Sequence, residues 1–329
     1  GSAYGSEQRS YAAFGEGNLH LSKELTLIGG FRLTHDDVRG DYAPTTDAPY
    51  TYLGTIPPAA GGSAKATAFT GKGTIQYKPT RDIMVYATYA RGYKAPAIGT
   101  SRGVLRPVQQ ENVDSFEAGI KSQFLNRRLT VNLTGYITNF YNFQANTFIL
   151  QPSGDYLGLL GNAPKVEARG FELSTNFRAT RDLTLSANMT YNHSQYKGFL
   201  VGCYANQPIN AAAGPGCYRQ GATTINDATD TDVILAPRVV YNLGVNYEPR
   251  LTETLKLFSS LNWAHRASTL SVAGDPGTRM PAYGLLNGTL GVGAQAASLV
   301  CCSAGSPAGF DPALYTAGTV MLETAARPV

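Results

Sequence analysis

Few side chains in this 329-residue chain are spaced for chemistry. Asp227, Asp230 and Asp232 cluster beside Asn226 and offer the hard oxygen ligands that Ca²⁺ takes, but without the spacing of an EF-hand loop. A solvated acidic loop is the favoured reading, and the trio is only a weak metal candidate. Cys203 and Cys217 share that stretch, with 13 residues between them. In an oxidising compartment they would close a loop worth about 3 kcal/mol, and in a reducing one they would stay free thiols. Cys301 and Cys302 are adjacent, and the four His residues are too dispersed for a zinc site. His193-Ser194 and His35-Asp36 pair the residue types of a hydrolase, yet neither has an identifiable third partner. Gly291-Val292-Gly293 lacks the strand–helix context of a phosphate loop. These residues supply no catalytic set and call for no cofactor.

The elements that would position such residues read as strands. From Val166 to Tyr196, Leu183, Leu185, Ala187, Met189 and Tyr191 alternate with Thr184, Ser186, Asn188, Thr190 and Asn192. The preceding arm sets Phe171, Leu173, Thr175 and Phe177 against Glu172, Ser174, Asn176 and Arg178, with a turn at Ala179–Asp182. A period of two gives each strand one greasy and one polar face, so this is an antiparallel hairpin. Its arms exceed the usual soluble strand and suit the 9–11 residues of a tilted membrane strand. Tyr191, Tyr196 and Phe199 are placed for an aromatic girdle.

Charged residues are only 15% of the chain, while Gly numbers 36 and Tyr 20. The net charge of +4 comes without a long basic run, so no nucleic-acid partner is indicated. No apolar run reaches the 18 residues of a membrane helix, so residence in a membrane would require a closed barrel. The opening GSAYGSEQRS has no signal-peptide pattern, and the natural start is expected upstream.

Further hairpins are expected at Tyr11–His35, Ala66–Lys94, Ser115–Thr138 and Val239–Trp263, with an eleventh arm from Tyr283 that fades after Val292. Their connections alternate. Tight polar turns are followed by long Gly-, Pro- and Asn-rich stretches at 38–65, 95–112, 145–165, 197–236 and 268–281. Short turns on one side and long loops on the other is the sidedness of outer-membrane barrels; a soluble sandwich has no reason to sort its loops. The fold class expected is all-β: an antiparallel transmembrane β-barrel of meander hairpins over 1–295, followed by an irregular tail over 296–329, truncated or frame-shifted.

Three stretches carry a resemblance. Tyr86-Ala-Thr-Tyr-Ala-Arg-Gly-Tyr-Lys-Ala-Pro96, Glu111-Asn-Val-Asp-Ser-Phe-Glu-Ala-Gly-Ile-Lys121, and Asn162-Ala-Pro-Lys with Arg169-Gly-Phe-Glu-Leu173 resemble, in order and spacing, the barrel of TonB-dependent outer-membrane receptors. The resemblance implies a barrel of about 22 strands, of which about 11 are visible here, incomplete and without the plug domain. It implies location in the bacterial cell outer membrane among its lipids. The plug would contact TonB, with import of a small-molecule nutrient, siderophore-bound iron, cobalamin or a saccharide, driven by inner-membrane energy. The cell-surface setting favours a Cys203–Cys217 bridge. Lumen-facing charges at Arg32, Lys72, Glu117, Lys121, Glu172 and Arg178, and loop aromatics at Tyr141, Phe143 and Tyr156, are the candidate ligand-binding residues. Tyr50, Tyr52 and Phe148 are further aromatic loop residues of the same type. Ordinary lumen solvation and girdle packing are the competing readings. A passive porin-like channel or surface-binding barrel is the alternative function; a plug encoded upstream would decide against it. A barrel enzyme is the weakest reading.

Overall fold

The computed structural model describes residues 2–44, 60–101, 104–150, 156–204, 206–221, 223–294 and 297–304. Twelve strands form one antiparallel sheet in chain order: β1 (Ser2–His20), β2 (Leu25–Pro44), β3 (Ala60–Thr80), β4 (Ile83–Lys94), β5 (Glu111–Phe124), β6 (Leu129–Leu150), β7 (Tyr156–Arg178), β8 (Leu183–Lys197), β9 (Val239–Tyr247), β10 (Leu255–Arg266), β11 (Tyr283–Ala294) and β12 (Ala297–Ala304). Each pairs only with its neighbours in sequence, so the topology is a meander. Among the described residues β1 and β12 are the two edges, and the sheet is not closed.

The alternation is realised as cross-strand rows. Met189 lies between Leu173 and Tyr241, and Thr190 between Glu172 and Val240. On the greasy face Leu33 pairs with Phe69, Phe116 with Ile137 and Val245 with Leu261. These side chains are open, Phe69 by 63% and Phe116 by 56%, far from the burial of a folded core. A sheet that leaves its largest apolar side chains uncovered needs an apolar medium against them, since exposed patches beyond a few hundred Å² are rare on soluble monomers. Stacked or tilted pairs Phe31–Phe69, Tyr89–Phe116 and Phe171–Tyr191 lie on this face.

The tight turns follow one device. Ser22 Oγ accepts from the N–H groups of Glu24 and Leu25, Thr180 Oγ1 from those of Asp182 and Leu183, and Thr252 Oγ1 from those of Thr254 and Leu255. A hydroxyl two or three residues ahead of the N–H groups it satisfies caps the reversal. The turn after β5 differs: Leu125, Asn126 and Arg127 all take positive φ, 53°, 54° and 64°. Neighbouring turns are stitched together, with Arg127 Nε 3.1 Å from Asp82 Oδ1 and Arg128 Nε 3.0 Å from the Arg178 carbonyl.

Several expectations are corrected. The described residues of 38–65 and 145–165 are strand: β2 runs to Pro44 and β3 starts at Ala60, while β6 runs to Leu150 and β7 starts at Tyr156. β6 and β7 have 22 and 23 residues, about 70 Å at the usual rise, so they overshoot a bilayer. Backbone pairing continues there because each N–H and C=O needs a partner, whatever the side-chain pattern. The stretch 197–236 holds a four-stranded sheet of its own, Leu200–Gly202, Ile209–Asn210, Gly216–Gln220 and Thr223–Asp227. Tyr196 and Phe199 do not join the girdle. They stack at 4.5 Å in a buried cluster with Ala163, Val166, Ala228 and Ala273, the closest approach to a conventional core. The sheet also runs past residue 295. β12 pairs with β11, with a register shift between Leu290 and Gly291, because the free edge of β11 is a template that needs no alternation. Residues 305–329 lie outside the described residues.

Candidate functional site

The registers carry one polar row across the inner face. Glu16 and Lys72 face each other across Gly30, which pairs with both, and Lys72 pairs with Ala90; Thr88 pairs with Glu117, Glu117 with Tyr136, Thr134 with Glu172 and Glu172 with Thr190. The row ends in an amide pair, Asn242 and Asn262, which exchange bonds of 2.9 and 2.8 Å. Arg32, Lys72, Glu117, Lys121, Glu172 and Arg178 all fall on this face. Lys72 Nζ is 3.0 Å from Glu16. Tyr86 Oη donates to Glu117 Oε1 at 2.5 Å and lies 2.9 Å from Thr134 Oγ1, with Lys121 Nζ 5.6 Å from its ring. Arg32 Nε donates to Thr34 Oγ1 at 3.0 Å and its guanidinium stands 5.7 Å from the Phe14 ring. Arg178 stands apart from this group, at the tight turn, where its backbone is bonded to Arg128. The result is a hydrated wall of both charge signs, cross-linked by hydroxyls.

The loop aromatics divide. Phe143 packs edge-on against Phe140 and Tyr196 at 5.6 and 6.4 Å and so supports the buried cluster. Tyr141 stays exposed under Lys165 Nζ at 5.9 Å. The side chains of Tyr156 and Phe148, and all of Tyr50 and Tyr52, lie outside the described residues. The carboxylates of the acidic loop diverge. Asp227 accepts from the Thr229 N–H at 3.0 Å, Asp230 pairs with Lys197, and Asp232 takes Arg238 through two bonds of 3.1 and 2.8 Å. Asp232 holds the Arg238 guanidinium proton still more firmly, raising its pKa. No group of three metal-ligating side chains occurs among the described residues. Cys203 and Cys217 are bonded, closing a 14-residue separation and lacing the loop sheet. His35 and Asp36 point to opposite faces: His35 Nδ1 lies 2.8 Å from Thr67 Oγ1, while Asp36 is buried and accepts from Tyr93 and Gln8. His193 and Ser194 are likewise split, as neighbours in a strand must be, so neither pair is a dyad.

Sequence reasoning missed a clamp at the outer mouth. The hairpin Ala97–Ser101 and Val104–Val108 folds inward, with Ile98 so close to Gly40 that a Cβ there would sit 3.0 Å from it. Its two ends are held together. Gln144 Nε2 donates to the carbonyls of Ala95 and Gln109 at 2.8 and 3.1 Å, and buried Glu111 accepts from the Gln144 N–H at 2.8 Å. Asn162 accepts from Gln109 N–H at 2.8 Å and donates to the carbonyls of Gln109 and Asn142 at 3.0 and 2.7 Å. Asn142 has a left-handed backbone, φ 53°. The signal was present: Asn162 and Glu111 open two of the three stretches that carry the resemblance.

Comparisons agree with this geometry. Residues 1–297 match the family model described as TonB dependent receptor-like, beta-barrel. The pesticin receptors of Yersinia enterocolitica and Yersinia pestis are 26% identical over 297 and 295 residues, covering 85% of this chain and 41% of each relative. The chain thus spans about two fifths of the length of the curated relatives it matches. The ferric yersiniabactin uptake receptor FyuA from Yersinia pestis superposes with a TM-score of 0.66 at 19% identity, over 88% of this chain and 39% of that one. The siderophore receptor PiuA from Acinetobacter baumannii gives 0.60 at 16%, over 88% and 37%. These neighbours share the fold, and they are receptors rather than enzymes. With its wall, its sorted turns and loops and this match over nearly its whole length, the chain belongs to the TonB dependent receptor-like β-barrel family of the outer membrane.

Proposed function

We propose that this chain forms barrel wall and outer loops of a receptor that imports a scarce, bulky nutrient across the outer membrane, with siderophore-bound iron the first candidate. Energy would come through TonB acting on a plug inside the barrel, and the chain carries no catalysis of its own. The observation that carries the reading is the built outer mouth. A disulfide-laced loop sheet and an inward hairpin, clamped by Glu111, Gln144 and Asn162, stand over a polar inner face. The related proteins named for ferric-siderophore uptake support the choice of cargo. Within this reading Arg32, Lys72, Glu117, Lys121 and Glu172 line the path, and Tyr141 is an exposed aromatic of the mouth. The test is uptake of radiolabelled ferric siderophores by iron-starved cells with and without the intact protein. The receptor reading expects protein-dependent uptake that stops when a protonophore is added. Uptake that survives the protonophore overturns it in favour of a passive channel.

A further inference from the structure

Beside the buried cluster, at the outer end of β8, lies a cavity of about 580 Å³, within the range of small-ligand sites. Tyr196, Phe199, Val201, Ile234 and Val272 give it an apolar lining drawn from three loop segments and a strand end. Its charge is the informative feature. Among the described lining residues there is no Lys, Arg or His, and the one charged group is Asp275, whose Oδ1 already accepts the Gly277 N–H at 2.8 Å. The walls are held from behind. Phe199 stacks on Tyr196, and the Cys203–Cys217 bridge ties Cys203, itself part of the lining, to the strand Gly216–Gln220 of the loop sheet. A pre-formed apolar cavity with a single carboxylate favours an uncharged, ring-bearing group and disfavours an anion, which would be desolvated beside Asp275 with no cation to meet it.

We propose that this cavity is a binding site for an uncharged aromatic portion of a small ligand, separate from the charged inner wall. It rests on the receptor reading only for the side from which a ligand arrives. An anionic metal-binding head would not enter, so a ligand seated here keeps that head outside, toward the polar face.

Photolabelling of the intact protein in liposomes tests the proposal independently of transport. Neutral benzophenone is compared with anionic 4-benzoylbenzoate, and adducts are mapped by mass spectrometry. Benzophenone is expected to mark 196–204 and 271–275 at least tenfold more than benzoylbenzoate does. Val201→Trp, which pushes an indole into the cavity, is expected to cut that labelling severalfold while leaving adducts on the lipid-facing wall unchanged. Leu235→Lys, at an exposed rim position, is expected to raise benzoylbenzoate labelling severalfold without touching the packed interior. Should Val201→Trp fail to fold, the Leu235→Lys arm decides alone. Equal labelling by the two probes, labelling unchanged in Val201→Trp, or no gain in Leu235→Lys overturns the proposal. Because labelling needs no energy source, a failed uptake assay with successful labelling would sink the receptor reading and leave this site standing.

Discussion

Met189 and Thr190 are consecutive, yet the account puts one in hydrocarbon and the other in water. Met189 sits on the outer face between Leu173 and Tyr241, and Thr190 on the inner face between Glu172 and Val240. Both lie about 20 Å along β8 from its tight turn, which with the usual barrel tilt is near mid-membrane. An Arg on the lipid face at that depth costs about 2–4 kcal/mol. At 1.4 kcal/mol per decade, Met189→Arg should lower the folded-to-unfolded ratio by roughly 30- to 700-fold. Thr190→Arg places the same charge in the wet interior beside the Glu172 carboxylate, where the cost should be under about 0.5 kcal/mol. The assay is reversible denaturant unfolding in liposomes, followed by the loss of compact migration on gels run without heating. The comparison removes the effect of adding a bulky cation and leaves only the face. Equal destabilisation by the two substitutions, or a larger cost for Thr190→Arg, would refute the assignment of faces.

Three further outcomes follow from local geometry. Cys203→Ser with Cys217→Ser should cost the loop sheet about 3 kcal/mol, read as new protease cleavage within 197–236 while the barrel wall stays protected. Asn162→Ala removes three bonds to Gln109 and Asn142 and should speed amide exchange of the 95–112 hairpin at least tenfold, with little change in β8. Asn126→Gly should stabilise the barrel by about 0.5–1 kcal/mol, since φ 54° is left-handed and favours glycine; a loss of stability would show that the Asn side chain holds the turn.

The wall was legible because its physics is local. Alternation from Leu183 to Tyr191 reports which face meets lipid, and the same rule placed Arg32, Lys72, Glu117, Lys121 and Glu172 together. What failed depends on contacts distant in sequence. Tyr196 and Phe199 read as girdle residues, but the loop sheet folds over them with Ala228 and Ala273, and nothing in their own neighbourhood announces that. Phe143 packs into the same cluster, again through partners its own neighbourhood does not announce. The tail read as irregular because Ala297–Ala304 has no alternation, whereas an edge strand needs only backbone partners. The Gln144–Glu111–Asn162 clamp was missed because its members lie some 20–50 residues apart and gain meaning only when three strands align.

Trp263, the single Trp of this chain, offers the most direct measurement. It lies on the greasy face between Leu243 and Leu286, next to Asn262 on the polar face. With the protein in liposomes, lipids brominated along their acyl chains should quench its fluorescence strongly, and aqueous iodide should barely affect it. Strong iodide quenching without bromolipid quenching would place the outer face in water or against protein, contradicting the membrane account.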